Sequence, residues 1–427
     1  MADSLELYVR FENQEVGVIK YLIKEDKYLF VYDEEWIRAR RFPISPHIPY
    51  QEQKQGVLKR FLENLLPEGQ GLDDLSRLTG VSKANVFALV HSIGRDLSGA
   101  LEISSRRTAI ETKFRGISHA ELVERIGNRQ KESIIIWDGR PRLSIAGVQQ
   151  KLPLLKKDDE YGLGEGLLAS THILKFGRST NRHIVLNEHL CMQLAQLVGL
   201  KTAETKVVDF GERVLEIKRF DREWVTTEAI KRTHVIDGCQ ALDIGPEHKY
   251  ERFLGDEESV QDILGPASLK NLFDFCDQCR VPAKARMDLL HWVAFSLYIG
   301  NSDNHVKNLS FFVSDSGLEL APFYDLLSVT IYPDLNHSLA FCIGEAFDPS
   351  KVNEHQLLLM ASELDIPLSF VKRQFQIILK NLKRALGTVE LELQNKPLNR
   401  EEGEFIGQLT AHINSNISRY QSILEDL

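Results

Sequence analysis

Between residues 5 and 32 apolar and polar positions alternate in three short runs, LYVRF, VGVIKYL and YLFVY. A period of two marks strands with one buried face, and Asn13-Gln14 and Glu25-Asp26 stand where turns are needed. The pattern predicts a small antiparallel sheet. A Pro-rich loop, FPISPHIP at 42–49, follows, and then helical spacing over GVLKRFLENLL (56–66) and DDLSRLTGVSKANVFALVHSIG (73–94). The stretch 106–133 is polar and bridges to the next apolar block, so a domain boundary is expected within it. From residue 140 to 225 strands and helices alternate, and beyond 285 the spacing is mainly helical. The whole reads as an α+β chain.

The 73–94 segment has the look of a helix-turn-helix with Gly80 in the turn. A DNA reader needs a basic face to neutralise phosphates. Its second helix offers only Lys83 before the apolar run Val86 to Val90, so an ordinary helix pair is the better reading. Composition points the same way: 43% hydrophobic and 26% charged residues describe an ordinary globular chain, and a net charge of −9 argues against a surface that grips nucleic acid throughout. The 427 residues suffice for two or three domains. The start, MADSLELYVRFE, lacks the basic-then-apolar pattern of a signal peptide, and the longest apolar run, 289–300, is too short to span a bilayer. Five cysteines make no disulfide framework, and Cys276 and Cys279 form a C-x-x-C without the second pair that a zinc site needs. A cytosolic protein is expected.

Chemistry concentrates in IGNSDNHVKNLSFFV, 299–313, and LAPFYDLLSV, 320–329. Asp303 and Asn308 have the D-x-x-x-x-N spacing of a protein-kinase catalytic loop, and Asp325 follows in a Phe-Tyr-Asp triplet with Tyr324. Phosphoryl transfer needs a carboxylate to orient the attacking hydroxyl, and an amide and a second carboxylate to hold Mg²⁺. The surroundings fit. LLHWVAFSLYIG reads as an apolar helix stopped by Gly300, and LSFFV and LELAP read as a hairpin around 314–317.

Such a centre also needs a strand lysine and an acidic partner upstream. THILKF, 171–176, supplies Lys175, and the amphipathic helix NEHLCMQLAQLVGL, 187–200, supplies Glu188. RVLEIKRFDRE, 213–223, reads as a strand leading into a short link where a hinge would meet adenine. No G-x-G-x-x-G precedes Lys175; RLSIAGVQQKLPLL, 142–155, offers one glycine whose turn could cradle phosphates through backbone N–H groups. The residues alone give an ATP-dependent phosphotransferase with a divergent phosphate loop.

The motifs SIAGVQQK, THILKF, KRFDR, SDNHVKN and FYDLLS, in that order, resemble those of the HipA-like serine/threonine kinase toxins of bacterial type II toxin–antitoxin systems. The resemblance covers nearly the whole chain. It implies a two-lobed, PI-3-kinase-like fold: an N-terminal subdomain over 1–110, the nucleotide-binding part of a kinase core over 135–225, and a mainly helical C-terminal lobe over 226–427. It implies Mg-ATP, with Asp303 as catalytic base and Asn308 and Asp325 as metal ligands. Lys175 and His305 would contact phosphates, Lys218, Arg219 and Phe220 would form the adenine hinge, and Tyr324 would also line the nucleotide site. The phosphate loop would be Ala146, Gly147, Val148, Gln149, Gln150 and Lys151, and the regulatory autophosphorylated serine would be Ser144. The hinge position of Lys218 is often acidic in the family, a departure of little weight where backbone groups do the binding. Partners implied are a small DNA-binding antitoxin, operator DNA through it, and an aminoacyl-tRNA synthetase as target, glutamyl-tRNA synthetase above all. Two other readings stay open: a co-repressor on DNA, with Arg38, Arg40 and Arg41 near phosphates, and a small-molecule kinase.

Overall fold

The computed structural model describes residues 4–427 except 13, 109, 143–149, 178–180, 258 and 394–397, with the side chains of 390–393 also outside the description. The chain divides into two compact units. One comprises Met1–Phe176, Val208–Pro246 and Phe311–Leu318, the other Gly177–Val207, Glu247–Ser310 and Glu319–Leu427.

In the first unit the alternating runs form β1 (Ser4–Phe11), β2 (Gln14–Leu22) and β3 (Lys27–Tyr32), and β4 (Leu101–Ser104) adds a fourth strand in the order β3-β2-β1-β4. The return of β4 from far along the chain carries no local signal. Gly17 is required where β2 meets β3, because a Cβ there would lie 2.3 Å from the Val31 carbonyl oxygen. Trp36, on α1 (Glu34–Arg38), is fully buried and donates from its indole to the Phe42 carbonyl at 2.9 Å. Helices α2 (Val57–Glu63), α3 (Gln70–Thr79) and α4 (Val86–Ile93) follow. Gly80 caps α3 in the left-handed region, and Asn85 caps α4 by accepting from the Ala88 amide. The apolar face of α4 (Val86, Phe87, Leu89, Val90 and Ile93) is buried, and Lys83 pairs with Asp73. This is the expected ordinary helix pair.

The described part of the polar stretch 106–133 is structured. It holds β5 (Lys113–Ile117), which pairs with β9, and α5 (His119–Gly127), capped by Ser118. A two-stranded pair, β6 (Ile136–Trp137) and β7 (Arg140–Pro141), precedes the main sheet. That sheet has the order β11-β12-β10-β8-β9-β5, with β8 (Lys151–Lys157), β9 (Glu160–Glu165), β10 (His172–Phe176), β11 (Thr205–Asp209) and β12 (Arg213–Lys218). Beyond it lie the hairpin β13 (Arg222–Thr226) and β14 (Ala229–Arg232), then β15 (Val235–Asp237), and α7 (Gly238–Leu242), opened by an Asp237 capping box. The anticipated hairpin forms as β16 (Ser310–Ser314) and β17 (Gly317–Leu320), in a sheet ordered β15-β16-β17.

The second unit is helical: α6 (Ile184–Leu197), α8 (Leu269–Cys276), α9 (Pro282–Ile299), α10 (Glu354–Glu363), α11 (Leu368–Leu393) and α12 (Arg400–Asp426). Buried residues run all round the C-terminal half of α9, as expected of a central helix. It packs against α8, α11 and α12, and Tyr298 donates to the Phe375 carbonyl at 3.0 Å. Cys276 and Cys279 are buried free thiols, one ending α8 and the other in the turn beyond. Among the described residues no helix is long and apolar enough to cross a membrane.

Candidate active site

The expected catalytic loop begins where α9 stops. Gly300 is in the left-handed region, and a Cβ there would lie 2.0 Å from the Thr330 hydroxyl oxygen, so only glycine fits. Its carbonyl accepts from the amides of Val329 and Thr330 at 2.9 and 3.0 Å. The start of the loop is thereby tied to the segment that follows Asp325.

The loop then folds on itself. The Asp303 amide donates to Asn301 Oδ1 at 3.2 Å, and Asn308 Nδ2 donates to the Asp303 carbonyl at 3.0 Å. With Nδ2 so used, the amide plane of Asn308 is fixed and Oδ1 is its acceptor end. The Asp303 residue is exposed and its Oδ1 accepts from the Tyr250 hydroxyl at 2.6 Å, whereas Asn301, His305, Lys307 and Asn308 are buried. The Val306 amide donates to the Lys249 carbonyl at 3.3 Å, a second tie between the loop and 249–250.

Asp325 is held on both sides. Before it, Thr202 and Phe323 form a parallel bridge, with Phe323 donating to Lys201 and Ala203 donating to Phe323. After it, Asn187 on α6 donates to the Ser328 carbonyl and accepts from the Ser328 amide, both at 2.8 Å. Asp325 itself has a φ of 58°, a strained value tolerated by aspartate and frequent at functional sites. The Tyr324 hydroxyl, expected at the nucleotide, donates to the Lys307 carbonyl at 2.8 Å and meets Ser310 Oγ at 2.9 Å, so it braces the end of the loop.

His305 stacks edge-on against Tyr250, and its Nδ1 is buried without a hydrogen-bond partner. Burial pushes its pKa down to about 3, with Lys249 adding to the depression and Asp325 opposing it. The ring is therefore neutral at physiological pH. It can offer a phosphate oxygen a neutral N–H, not a full charge.

Lys151, Lys175 and Lys218 to Phe220, expected at the nucleotide, lie in the first unit. Lys175 is buried on β10, in register with Lys151 on β8 and Leu215 on β12. Gln150 accepts from the Phe176 amide through its carbonyl at 3.4 Å. Ser144, Ala146, Gly147, Val148 and Gln149 lie outside the described residues. Lys218 is exposed at the end of β12, and the Arg219 amide donates to the Thr171 carbonyl at 2.9 Å. The Arg219 side chain is buried and forks onto Asp221 at 2.9 and 2.8 Å. Arg222 also meets Asp221, at 2.7 Å, and Asp96 at 3.2 Å. Arg219, Asp221 and Arg222 of the KRFDR motif thus form a buried ion cluster that ties 96–99 to the end of β12, with the Gly99 amide donating to Asp221. Phe220 packs edge-on against Phe312. Glu188 is buried on α6 in the second unit.

Sequence reasoning missed Tyr250 and Lys249, because residues far upstream give no spacing signal, and Asn301, whose acceptance from the Asp303 amide is visible only in the fold. It also missed Glu216, buried on β12 and bonded to Lys156 at 3.0 Å and to the Tyr161 hydroxyl.

Comparison with known proteins decides the family. Residues 143–387 match the HipA-like C-terminal domain, and residues 7–104 match the HipA N-terminal domain. The chain belongs to the HipA family. It is 36% identical over 430 residues to the serine/threonine-protein kinase toxin HipA of Shewanella oneidensis, an alignment covering all of this chain and 98% of the relative. A protein of Sinorhizobium fredii, Y4mE, is 30% identical over 372 residues, covering 84% of this chain and 86% of that one. The fold matches the solved complex of the Shewanella oneidensis HipA, HipB and operator DNA with a TM-score of 0.90, at 36% identity and 98% coverage of both chains. The HipA family match over 143–387 contains every residue expected at the site.

Proposed function

We propose that this chain is a serine/threonine protein kinase that uses Mg-ATP and acts as the toxin of a toxin–antitoxin pair. The observation that carries the reading is the loop in which the Asn308 amide is locked to the Asp303 backbone while the Asp303 carboxylate stands exposed and held by Tyr250. The full-length similarity to a kinase toxin supports it.

In this reading Asp303 orients the acceptor hydroxyl and takes up its proton as the oxygen attacks the γ-phosphorus and ADP leaves. Asn308 Oδ1 and the Asp325 carboxylate would hold the metal. That donor set is all oxygen, as Mg²⁺ prefers. Mg²⁺ is commonly bound by one or two carboxylates together with substrate phosphates. When bound, Mg²⁺ supplies neutralisation of phosphate charge. Lys175 stabilises phosphate charge from a buried ammonium, oriented by Glu188, and neutral His305 donates a hydrogen bond. The loop Ala146–Lys151 cradles the phosphates and Lys218, Arg219 and Phe220 serve adenine.

The target class is an aminoacyl-tRNA synthetase such as glutamyl-tRNA synthetase, so that charging stalls and growth slows. A small DNA-binding antitoxin restrains the toxin and links it to operator DNA, as the composition of the Shewanella oneidensis complex suggests. Ser144 is the autophosphorylation site, and its phosphate, carrying about −1.5 to −2 charges, repels the triphosphate and switches the enzyme off. Incubation with labelled Mg-ATP, alone and with a purified synthetase, tests the set. Label in the synthetase and, by peptide mapping, in Ser144 is expected. Transfer to no protein at all would overturn the kinase reading, and label only at other residues would remove Ser144.

A further inference from the structure

The described residues of 251–265, which leave out 258, form a closed surface loop. The Gly265 amide donates to the Glu251 carbonyl at 2.7 Å across its neck, and a Cβ on Gly265 would lie 2.9 Å from the Phe253 ring. Its body is pinned: Asp256 accepts from Asn336 Nδ2 at 2.7 Å and Ser338 Oγ at 2.8 Å, and the Arg252 guanidinium lies 3.9 Å from the Phe347 ring centroid. Of the aliphatic side chains among its described residues, Val260 is half-buried. Leu254, Ile263 and Leu264 are each 50% exposed, in the company of exposed Glu257 and Asp262. Exposed aliphatic side chains carried on one loop beside exposed carboxylates suit an interaction surface if they form one patch.

The position of the loop says with what. It starts directly after Lys249 and Tyr250, the two residues that tie this region to the proposed catalytic loop through Val306 and the Asp303 carboxylate. Loop, ties and catalytic loop all belong to the second unit. We propose that 251–265 is the acceptor-side specificity element: Leu254, Ile263 and Leu264 take an aliphatic side chain, and Glu257 and Asp262 a basic one, from the substrate segment that carries the serine or threonine. The inference rests on the kinase reading and names its substrate class. The exposed carboxylates favour a basic segment by charge complementarity. The aliphatic contacts contribute the order of 10–200-fold discrimination that an apolar pocket gives.

A degenerate peptide library with one fixed serine, phosphorylated by the full chain with Mg-ATP, reads the preference. Aliphatic and basic residues should be selected at fixed offsets from the serine. On the best peptide, Leu254→Ser with Ile263→Ser should raise KM roughly tenfold, in line with lost apolar discrimination, and leave kcat and calorimetric ATP affinity unchanged. Glu257→Lys with Asp262→Lys should turn the charge preference from basic to acidic, a gain that damage to the fold does not produce. Peptide phosphorylation with no selection for these side chains, or with KM and preference unaltered in both double variants, would overturn the loop's role alone. Failure of the wild-type chain to transfer phosphate to any peptide or protein would remove the kinase reading and the loop's role together.

Discussion

In the proposed mechanism Asn308 carries two demands on one amide: Nδ2 closes the loop on the Asp303 carbonyl, and Oδ1 would hold the metal. Asn308→Ala should lower turnover about 100-fold and raise the Mg²⁺ concentration needed for half-maximal rate, since a lost oriented group at a charged site costs on that order. A titration of rate against Mg²⁺ checks it; an unchanged requirement would take Asn308 away from the metal. At this scale much was legible. The spacing of Asp303, Asn308 and Asp325 is a property of the chain, and the structure brings all three into one unit. Tyr250 was not legible, because its hydroxyl reaches Asp303 only through the fold. Nor was the burial that keeps His305 neutral, or the ion cluster that occupies Arg219, Asp221 and Arg222 of KRFDR, a motif whose letters suggest only a hinge.

Among elements, the end of α9 decides where the chemistry stands. Gly300→Ala puts a methyl where Thr330 Oγ1 already is and forces a left-handed conformation on alanine. Overpacking and strain of this type cost about 1–3 kcal/mol, and the displaced contact is the one that ties the loop to the segment after Asp325. Thermal unfolding should show the loss of stability, and residual turnover should fall further than Tm implies. An alanine variant with wild-type Tm and rate would mean the close approach is not needed. The helix and its glycine stop were read from an apolar run and one residue, as was the hairpin after it, because both are local patterns. The fourth strand β4 and the strand within 106–133 were not read. Each is selected by partners far away in the chain, which a window of local periodicity does not contain.

For the whole molecule, two buried histidines set an acid limit. Burial lowers His305 to about 3 and His234 to about 4, from an ordinary 6.5. The unfolded chain takes up these protons near pH 6.5 and the folded chain does not, so stability is full above that value and declines as pH falls toward 4. His234 bonds to the Ile44 carbonyl through Nε2 at 2.8 Å, which an asparagine amide could replace. Denaturant melts between pH 6.5 and 4 should therefore show a shallower slope for His234→Asn than for wild type; equal slopes would contradict the assignment. The central claim is that the loop 303–308 transfers phosphate. Its most direct test is intact-mass measurement of phosphate gained by the chain and by an added protein acceptor under Mg-ATP, for wild type beside Asp303→Asn. The account predicts uptake by the wild type and a loss of rate of ~10²–10⁴-fold in the variant, with an unchanged circular dichroism spectrum and melt. Phosphate uptake by Asp303→Asn at the wild-type rate would contradict it.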